Sequence, residues 1–255
     1  MIRAAHVQDV AGQRAAHLVT RPAIEVVEWD DGMITGGLAR HWIAPEHEWL
    51  PCERRALRLV TGDVLDIGTG GGRVALALQQ RGLTVTGLDV SPGAVEVARS
   101  RGVANVTCGT VDDHVAAGHT YDTFLFFGAN LGLLQSRERA PAVLAALAAM
   151  ARPGARIVGQ GTDPYVELDA AFRAHQQRNV AMGRMPGQMR MRVRHRDIAT
   201  AWSDFLLCSP AELAELLTGT GWSLTDLDEG DSPVYSVVLQ RTDVPGGASS
   251  VSTTA

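Results

Sequence analysis

The sequence predicts an α/β fold centred on a doubly wound sheet of seven strands, mostly parallel, with an antiparallel last strand. From residue 64 to residue 161, short apolar segments that suit buried strands alternate with amphipathic segments that suit helices. Such alternation is typical of parallel sheets with helical crossovers. The chain then closes with a helix and two strands between residues 209 and 240, which we expect to complete the sheet as an antiparallel pair.

The first predicted strand, residues 64–67, leads into a loop in which four of the five residues from Gly68 to Gly72 are glycine. Glycine permits a sharp turn and lets a ligand approach the backbone N–H groups without a Cβ in the way. A helix from Arg73 to about Arg81 follows and points its positive N-terminal end at the loop. We therefore interpret the loop as the binding site of a nucleotide-type cofactor.

The second predicted strand, residues 83–89, ends in Asp89, which lies 21 positions after Gly68. A carboxylate at the tip of the neighbouring strand can accept hydrogen bonds from both hydroxyls of a ribose. In the alternative interpretation, the glycines only close a turn and Asp89 is solvated. The combination of the two features favours the nucleotide site.

Asp66 lies two residues before Gly68, and the segment from Asp66 to Gly72 resembles motif I of the class I S-adenosylmethionine-dependent methyltransferases. The resemblance covers residues 60 to 240 and implies a Rossmann-like fold with S-adenosyl-L-methionine as cofactor. It implies that Asp66 lies near the cofactor's amino group and that the glycines contact its methionine and ribose parts. The cofactor-binding residues implied in this way are Asp66, Gly68, Thr69, Gly70, Gly72, Asp89, Val90, Val111, Asp112, Asp113 and Gly128.

The resemblance also assigns the loop that follows the third predicted strand, residues 104–108. In the family this loop holds the adenine, and an acid accepts a hydrogen bond from the exocyclic amine. Asp112 and Asp113 both qualify, and we prefer Asp112. Loops rich in Asp and Thr are also ordinary turns, so this assignment depends on its place in the strand order.

Two other functions stay open. Residues 70–75 also fit the glycine fingerprint of NAD-dependent oxidoreductases. That register leaves Asp66 without a role and puts Asp89 only 19 residues after the first glycine. The sequence also lacks the second domain of such enzymes, with a recognisable acid/base and a substrate arginine. The other alternative is a catalytically silent cofactor-binding regulatory protein, because methyl transfer needs few catalytic side chains.

Substrate contacts are implied mainly by the resemblance. In the family, the chain beyond the fourth strand, here residues 121–127, lies beside the transferring methyl group, which makes Asn130 a substrate candidate. The alternative is an asparagine that satisfies a backbone group in a turn. Tyr165, just beyond the fifth predicted strand (residues 155–161), is a further candidate for the substrate wall.

The resemblance implies in-line displacement of the methyl group onto an O or N atom, less readily a C atom, of a small molecule, and we expect a role in secondary metabolism. A general base would assist an alcohol or phenol acceptor. The weak candidates are His41, His175 and His195. Each, taken singly, is better explained by a structural or exposed position, so no catalytic residue is assigned. The three cysteines lack metal-ligand spacing, and we expect no metal site.

The segment from about residue 162 to 207 departs from the strand–helix rhythm and is rich in arginine. Over residues 189–195, apolar and cationic residues alternate, which predicts a strand with one apolar and one cationic face. Residues 200–207 are expected to pair with it as a hairpin. Arg192 and Arg194 are therefore candidates for contact with an anionic substrate. The alternative is a solvated or dimer-contact face.

Charge and composition exclude several classes of protein. The chain has 23 basic and 28 acidic residues, a net charge of −5, which disfavours a nucleic-acid partner. Every basic residue is arginine, and without lysine neither Schiff-base chemistry nor a P-loop NTPase is available. There is no signal peptide and no long apolar run, so we expect a soluble, cytoplasmic protein that acts on a small molecule. A homodimer stays open.

Three regions are expected along the chain. Residues 1–59 form an N-terminal helical or lid segment, which either covers the ligand edge or packs on the sheet, with a helix over residues 44–60. Residues 60–241 form the methyltransferase core, with the arginine-rich insertion at about 162–207. Residues 242–255 are low in complexity and are expected to be a disordered tail.

Overall fold

The computed structural model describes residues 24–166, 169–195, 198–229 and 232–242, which form two sheets and seven α-helices. The strands are β1 (Ile24–Trp29), β2 (Ile34–Leu38), β3 (Val64–Ile67), β4 (Val85–Asp89), β5 (Asn105–Cys108), β6 (Tyr121–Phe126), β7 (Ala151–Thr162), β8 (Gln188–His195), β9 (Ile198–Ala199), β10 (Ser203–Leu206), β11 (Trp222–Asp228) and β12 (Val234–Arg241). The α-helices are α1 (Pro51–Ala56), α2 (Arg73–Gln80), α3 (Pro92–Ser100), α4 (Val111–Ala116), α5 (Ala140–Ala149), α6 (Ala170–Ala181) and α7 (Pro210–Leu216).

The large sheet has seven strands in the order β11-β12-β7-β6-β3-β4-β5. Strands β3 to β7 pair in parallel, whereas β12 is antiparallel to both β7 and β11. All four residues of the central strand β3 are buried, as expected where helices cover both faces of a parallel sheet. The predicted fold class is confirmed, and the carboxyl ends of β3, β4 and β6 meet at one edge.

Serine side chains cap the starts of two helices. Ser91 caps α3, because its side chain accepts a hydrogen bond from the N–H of Ala94 at 3.3 Å. Ser209 and Glu212 form a reciprocal capping box at the start of α7. Each cap satisfies backbone N–H groups that have no partner within the helix.

The small sheet joins two distant parts of the chain in the order β10-β8-β1-β2, with β9 paired to β8. Strands β8 and β10 form the predicted antiparallel pair. Met189, Met191 and Val193 are buried on one face of β8, here called the inner face. The arginines of β8 alternate with them on the outer face. The two-residue alternation seen in the sequence is therefore confirmed.

The inner face of the small sheet packs beside the end of β6. Met189, Met191 and Phe205 form an apolar cluster with Trp29 of β1. Leu133, in the turn that follows β6, packs against this cluster. The small sheet thus lies next to the carboxyl edge of the large sheet.

The expectation of an N-terminal helical segment is wrong for residues 24–38, which form the hairpin β1–β2. Glu25 and Trp29 are buried on the inner face of β1. The turn of the hairpin includes Gly32 at a φ of 87°, a conformation that glycine adopts without steric cost. Because β1 has a glutamate on each face, polar and apolar residues do not alternate along it. The two-residue period of a strand is therefore not visible in its sequence.

The expectation of one helix over residues 44–60 is also wrong. The structure has only the short helix α1 in this range, with single 3₁₀ turns at residues 46–48 and 57–59. Pro45 and Pro51 explain the interruption, because proline lacks the N–H donor and disfavours helical backbone in the residue before it.

Residues 1–23 of the predicted N-terminal helical or lid segment, and residues 243–255 of the predicted disordered tail, lie outside the described ranges. None of the helices within the described ranges is long and apolar enough to cross a membrane.

Candidate functional site

The glycine loop between β3 and α2 adopts left-handed backbone at three positions. Gly68, Gly70 and Gly72 have φ values of 71°, 55° and 74°, which side chains other than glycine rarely adopt. A Cβ built on Gly72 would lie 2.5 Å from the side chain of Val103, whereas one on Gly70 would meet no atom closer than 4.0 Å. Gly72 is thus required by packing, and Gly70 leaves open space for a ligand to approach the backbone.

Asp66, at the end of β3, is a buried acid below this loop. Its Oδ2 accepts a hydrogen bond from Thr69 Oγ1 at 2.6 Å. Burial raises the pKa of Asp66 to about 6, although the Thr69 hydrogen bond and the charge of Arg73 act in the opposite direction. A buried carboxyl in this state suits a positively charged partner, which would favour its ionised form.

Asp89, at the end of β4, connects this strand to the glycine loop by a hydrogen bond. Its Oδ2 accepts a hydrogen bond from the N–H of Gly70 at 2.9 Å, and its Oδ1 accepts one from Ser91 at 2.8 Å. Burial raises the pKa of Asp89 above its ordinary value. Each carboxylate oxygen can accept a second hydrogen bond, so these contacts leave capacity for the hydroxyls of a ribose.

A buried ion pair that the sequence reasoning missed supports the start of α2. Arg73 Nη2 donates to Glu53 Oε1 of α1, and the two side chains are 5% and 1% exposed. The guanidinium also stacks over Trp49 at 4.7 Å from the ring centroid. The pair fixes α1 against the glycine loop. A glutamate and an arginine 20 positions apart carry no signal in the sequence alone.

Residues Ala39–Ile43, here called the cover segment, lie over the glycine loop and the turn after β6. A Cβ built on Gly128 would lie 2.7 Å from the indole of Trp42. Arg101 donates hydrogen bonds to the backbone oxygen of Gly71 and to that of the last residue of the cover segment. These contacts favour the lid interpretation of this part of the chain.

The cover segment is also bonded to the small sheet. Trp42 Nε1 donates a hydrogen bond to Glu25 Oε2 at 2.7 Å, and Glu25 is only 7% exposed on the inner face of β1. Trp42 therefore links the inner face of the small sheet to the carboxyl edge of the large sheet. Glu25 was not among the predicted site residues, because β1 was not recognised as a strand.

The residues predicted to hold the adenine lie around the start of α4. Asp113 accepts hydrogen bonds from the backbone N–H and the hydroxyl of Thr110, which occupies it as part of a capping box. Asp112 is exposed in the first turn of the same helix, whereas Val111 and Val90 are half-buried. This geometry leaves Asp112 the better placed of the two acids for an external ligand.

Asn130 is buried against the glycine loop. Its Nδ2 donates to the carbonyl oxygens of residues 67 and 68, each at 3.0 Å. Gln160 Oε1 accepts hydrogen bonds from the N–H groups of residues 128 and 129 at 2.7 and 3.2 Å. The two amides hold the turn beyond β6 in place. In this geometry the Asn130 amide satisfies backbone groups, and its contact with substrate stays a prediction.

Arg192 and Arg194 both bind Glu28 across the outer face of the small sheet, at 2.8 to 2.9 Å. Hydrogen bonds from the two arginines lower the pKa of Glu28 to about 2. Arg192 also lies over the ring of Trp202 at 4.7 Å. The cationic face is therefore internally paired and points away from the inner face. Tyr165 is half exposed and donates a hydrogen bond to Glu212 at 2.7 Å.

The three candidate histidines lie in different surroundings. His175 is buried, with Nδ1 2.7 Å from Asp31 Oδ2 and Nε2 3.0 Å from the backbone oxygen of Gln188, so both ring nitrogens are engaged. His41 is exposed and packs edge-on against Trp42. Partial desolvation and the charge of Arg73 lower its pKa. His195 belongs to β8, and its side chain lies outside the described part.

In the described ranges, no group of three or more His, Cys, Asp or Glu side chains is arranged to hold a metal ion. Two open surface grooves of about 670 and 350 Å³ lie away from the glycine loop. The first is lined by Arg54 and Arg55 of α1 and by Arg58 just after it, and the second lies at the amino ends of β3 and β4. The carboxyl edge is the better site because it combines buried acids with an open glycine backbone.

Comparison with known proteins agrees with this geometry. A family model described as a methyltransferase domain matches residues 64–154, from β3 into β7. Over 57 residues the chain is 46% identical to the 2-heptyl-1-hydroxyquinolin-4(1H)-one methyltransferase of Mycobacteroides abscessus, covering 21% of this chain and 25% of that protein. Over 104 residues it is 35% identical to the ubiquinone biosynthesis O-methyltransferase of Vibrio parahaemolyticus, covering 37% and 41%. The matches thus span less than half the length of these curated relatives.

Solved structures share the fold over nearly the whole chain. A SAM-dependent methyltransferase from Bacteroides fragilis in complex with S-adenosyl-L-homocysteine superposes with a TM-score of 0.77 at 24% identity, covering 95% of this chain and 98% of that one. The 1,6-didemethyltoxoflavin-N1-methyltransferase of Burkholderia thailandensis gives a TM-score of 0.53 at 18% identity, covering 95% and 92%. Residues 64–154 therefore resemble a methyltransferase domain, and the chain has the fold of a solved S-adenosylmethionine-dependent methyltransferase.

Proposed function

We propose that this protein transfers a methyl group from S-adenosyl-L-methionine to an O or N atom of a small molecule, as part of secondary metabolism. The observation that carries the proposal is the glycine loop flanked by two buried acids, Asp66 at the end of β3 and Asp89 at the end of β4. The methyltransferase domain match over residues 64–154 supports the same reaction class.

The residues at the carboxyl edge suit each part of this cofactor. Asp66 is a buried acceptor for the ammonium of the methionine part, and Asp89 is an acceptor for the ribose hydroxyls. The open side of Gly70 admits the ligand to the backbone, and Asp112 is available to the adenine amine. When bound, the cofactor supplies an already activated methyl group on a sulfonium.

The main task of the chain is then to position the acceptor. Holding two reactants in line at near-attack distance can contribute about 7–11 kcal/mol to lowering the barrier. The cover segment and the inner face of the small sheet are the elements next to the carboxyl edge that exclude water and orient the acceptor.

Three observations support a small acceptor. Two of the similar proteins are named for a hydroxyquinolone and for ubiquinone biosynthesis, and a third for an N1-methylation of a didemethyltoxoflavin. The net charge of −5 disfavours nucleic acid. After β6 the chain has Gly128-Ala129-Asn130-Leu131 rather than the Asn-Pro-Pro-Tyr-like turn that nucleic-acid methylating enzymes place against a flipped base.

The experiment is a transfer assay with deuterated S-adenosyl-L-methionine and a panel of hydroxyquinolones, catechols and heterocyclic amines. The expected result is a product heavier by one deuterated methyl group, with stoichiometric S-adenosylhomocysteine. A protein that binds S-adenosylhomocysteine but methylates nothing in the panel would favour the catalytically silent regulatory protein. A protein that instead reduces NAD in the presence of an alcohol would favour the oxidoreductase.

A further inference from the structure

Resting on the proposed function, we propose that Glu25 is the general base of the reaction, accepting the proton of the acceptor's hydroxyl or N–H group. Glu25 lies on the inner face of β1, in a strand that pairs with both β2 and β8. It is 7% exposed, and none of the resemblances described above assigns it a role.

The position of Glu25 follows from its bond to the cover segment. Its Oε2 accepts the hydrogen bond of Trp42 Nε1 at 2.7 Å, and the same indole packs on Gly128 in the turn after β6. That turn is held against the glycine loop by Asn130. One short chain of contacts therefore leads from Glu25 to the edge where the cofactor's methyl group is presented.

Glu25 differs from the other buried acids around the site. Asp66 interacts with both the hydroxyl of Thr69 and the backbone N–H of residue 75. Asp89 is bonded to two backbone N–H groups, and Glu53 is bonded to Arg73. Glu25 is held through one oxygen by a neutral donor, and in the described ranges no hydrogen bond engages its Oε1. This is the geometry of a carboxylate that is oriented by one oxygen and reacts through the other.

The proposed step balances in charge and atoms. The acceptor oxygen or nitrogen attacks the methyl carbon, the carbon–sulfur bond breaks, and its electron pair returns to sulfur as the thioether. The proton of the acceptor passes to Glu25 Oε1, which becomes a neutral carboxylic acid and later releases the proton to water. A buried carboxylate suits this role because desolvation makes it a stronger base than one in water.

The charged groups near Glu25 lie on the cover segment, on α1 and on α2. His41 of the cover segment interacts electrostatically with Glu25, and Arg73 of α2 and Glu53 of α1 interact with His41. Burial raises the pKa of Glu25, while the Trp42 hydrogen bond and His41 act in the opposite direction. The rate of transfer should therefore fall on the acid side of the pH profile as Glu25 becomes protonated.

The test compares Glu25→Gln with Glu28→Gln in the full chain. The two glutamates share one strand, but Glu28 lies on the outer face and pairs with Arg192 and Arg194. With the acceptor identified in the transfer assay, Glu25→Gln should lower kcat by about 10²–10⁴-fold. Affinity for S-adenosylhomocysteine should be unchanged, and the acid limb of the pH profile should disappear. Glu28→Gln should retain the wild-type kcat.

Two further measurements keep the result interpretable. In Glu25→Ala, added acetate or formate should restore part of the lost kcat by replacing the missing carboxylate, which a purely structural role does not allow. Trp42 fluorescence in the protein loaded with S-adenosylhomocysteine should show a pH transition in wild type that is lost in Glu25→Gln, whereas the transition of His41, which packs against the same indole, stays in both proteins. Unchanged kcat in Glu25→Gln, or the same fluorescence titration in both proteins, overturns the proposal. Failure of wild type to bind S-adenosylhomocysteine overturns the proposed function itself.

Discussion

The carboxyl edge of the large sheet and the inner face of the small sheet are built by different physical means. The carboxyl edge is polar, with Asp66 and Asp89 hydrogen-bonded to the glycine loop and Arg73 ion-paired behind it. The inner face is mostly apolar, and Met189 and Met191 contribute much of its surface. Methionine is flexible and fills irregular space. The difference suggests a rigid site for an invariant cofactor beside an adaptable wall for the acceptor.

The largest expected effect tests the rigidity of the carboxyl edge. Glu53→Ala leaves the buried Arg73 without its ion-pair partner, and breaking a buried pair in this way costs about 3–5 kcal/mol in the free energy of unfolding. Urea unfolding measures it. The matched control is Arg55→Ala, which breaks the half-exposed pair with Asp228 and should cost less than about 1 kcal/mol. Equal costs for the two variants would contradict a rigid carboxyl edge.

The second prediction concerns the pH dependence of stability that Asp66 contributes. Its pKa is about 6 in the folded protein, against an ordinary value of 3.8, so folding favours the protonated form. This contribution is complete below about pH 3.8 and is lost as the pH rises through about 6. Asp66→Asn should therefore become more stable than wild type as the pH rises from 4 to 6, by up to about 3 kcal/mol.

Unfolding curves of the unliganded protein at several pH values measure this difference. Above pH 6 the gain in the variant should level off, and its affinity for S-adenosylhomocysteine should fall, because the asparagine cannot pair with the ammonium. If the stabilities of wild type and variant change in parallel between pH 4 and 7, the pKa of Asp66 is not raised in the folded protein and the prediction is wrong.

Asp89→Ala should weaken the binding of S-adenosylhomocysteine by well over tenfold, which corresponds to more than about 1.4 kcal/mol. The variant loses the ribose contact and also the bond that holds Gly70. Asp204→Ala, on the small sheet, is the control and should leave the affinity unchanged. Calorimetry that gives the same affinity for Asp89→Ala and wild type would show that β4 does not carry the ribose site.

The smallest effect is expected on the outer face of the small sheet. Replacing Arg190, Arg192 and Arg194 together with glutamine removes the exposed pairs with Glu28, so stability should fall by about 1 kcal/mol or less. Since the arginines point away from the inner face, KM for the acceptor should change less than about twofold. A large rise in KM, with weaker salt dependence, would instead support an anionic acceptor bound by Arg192 and Arg194.

The two regions also differ in how far the sequence predicts them. The carboxyl edge is encoded within about 25 residues, because a strand, a glycine bend and an acid at the next strand end form a local pattern. The caps at Ser91 and Ser209 are equally local, because each serine bonds a backbone N–H three residues further on. The alternation in β8 predicted its two faces, since a period of two needs only a few residues to be visible.

The rest depends on contacts between distant segments. Strand β1 pairs with β8 across more than 160 residues, and nothing in either segment specifies the other. Glu25 acquires its burial only through that pairing and through the bond to Trp42. The Arg73–Glu53 pair is similarly tertiary. Local patterns therefore predicted the cofactor side of the site, whereas the acceptor side required the fold.

The central claim is that the glycine loop, Asp66 and Asp89 bind an adenosyl sulfonium cofactor. Calorimetric titration of the wild-type protein with S-adenosylhomocysteine and, separately, with NAD tests it most directly. The account predicts saturable one-to-one binding of S-adenosylhomocysteine and no heat of binding with NAD. Saturable binding of NAD together with no response to S-adenosylhomocysteine would contradict it.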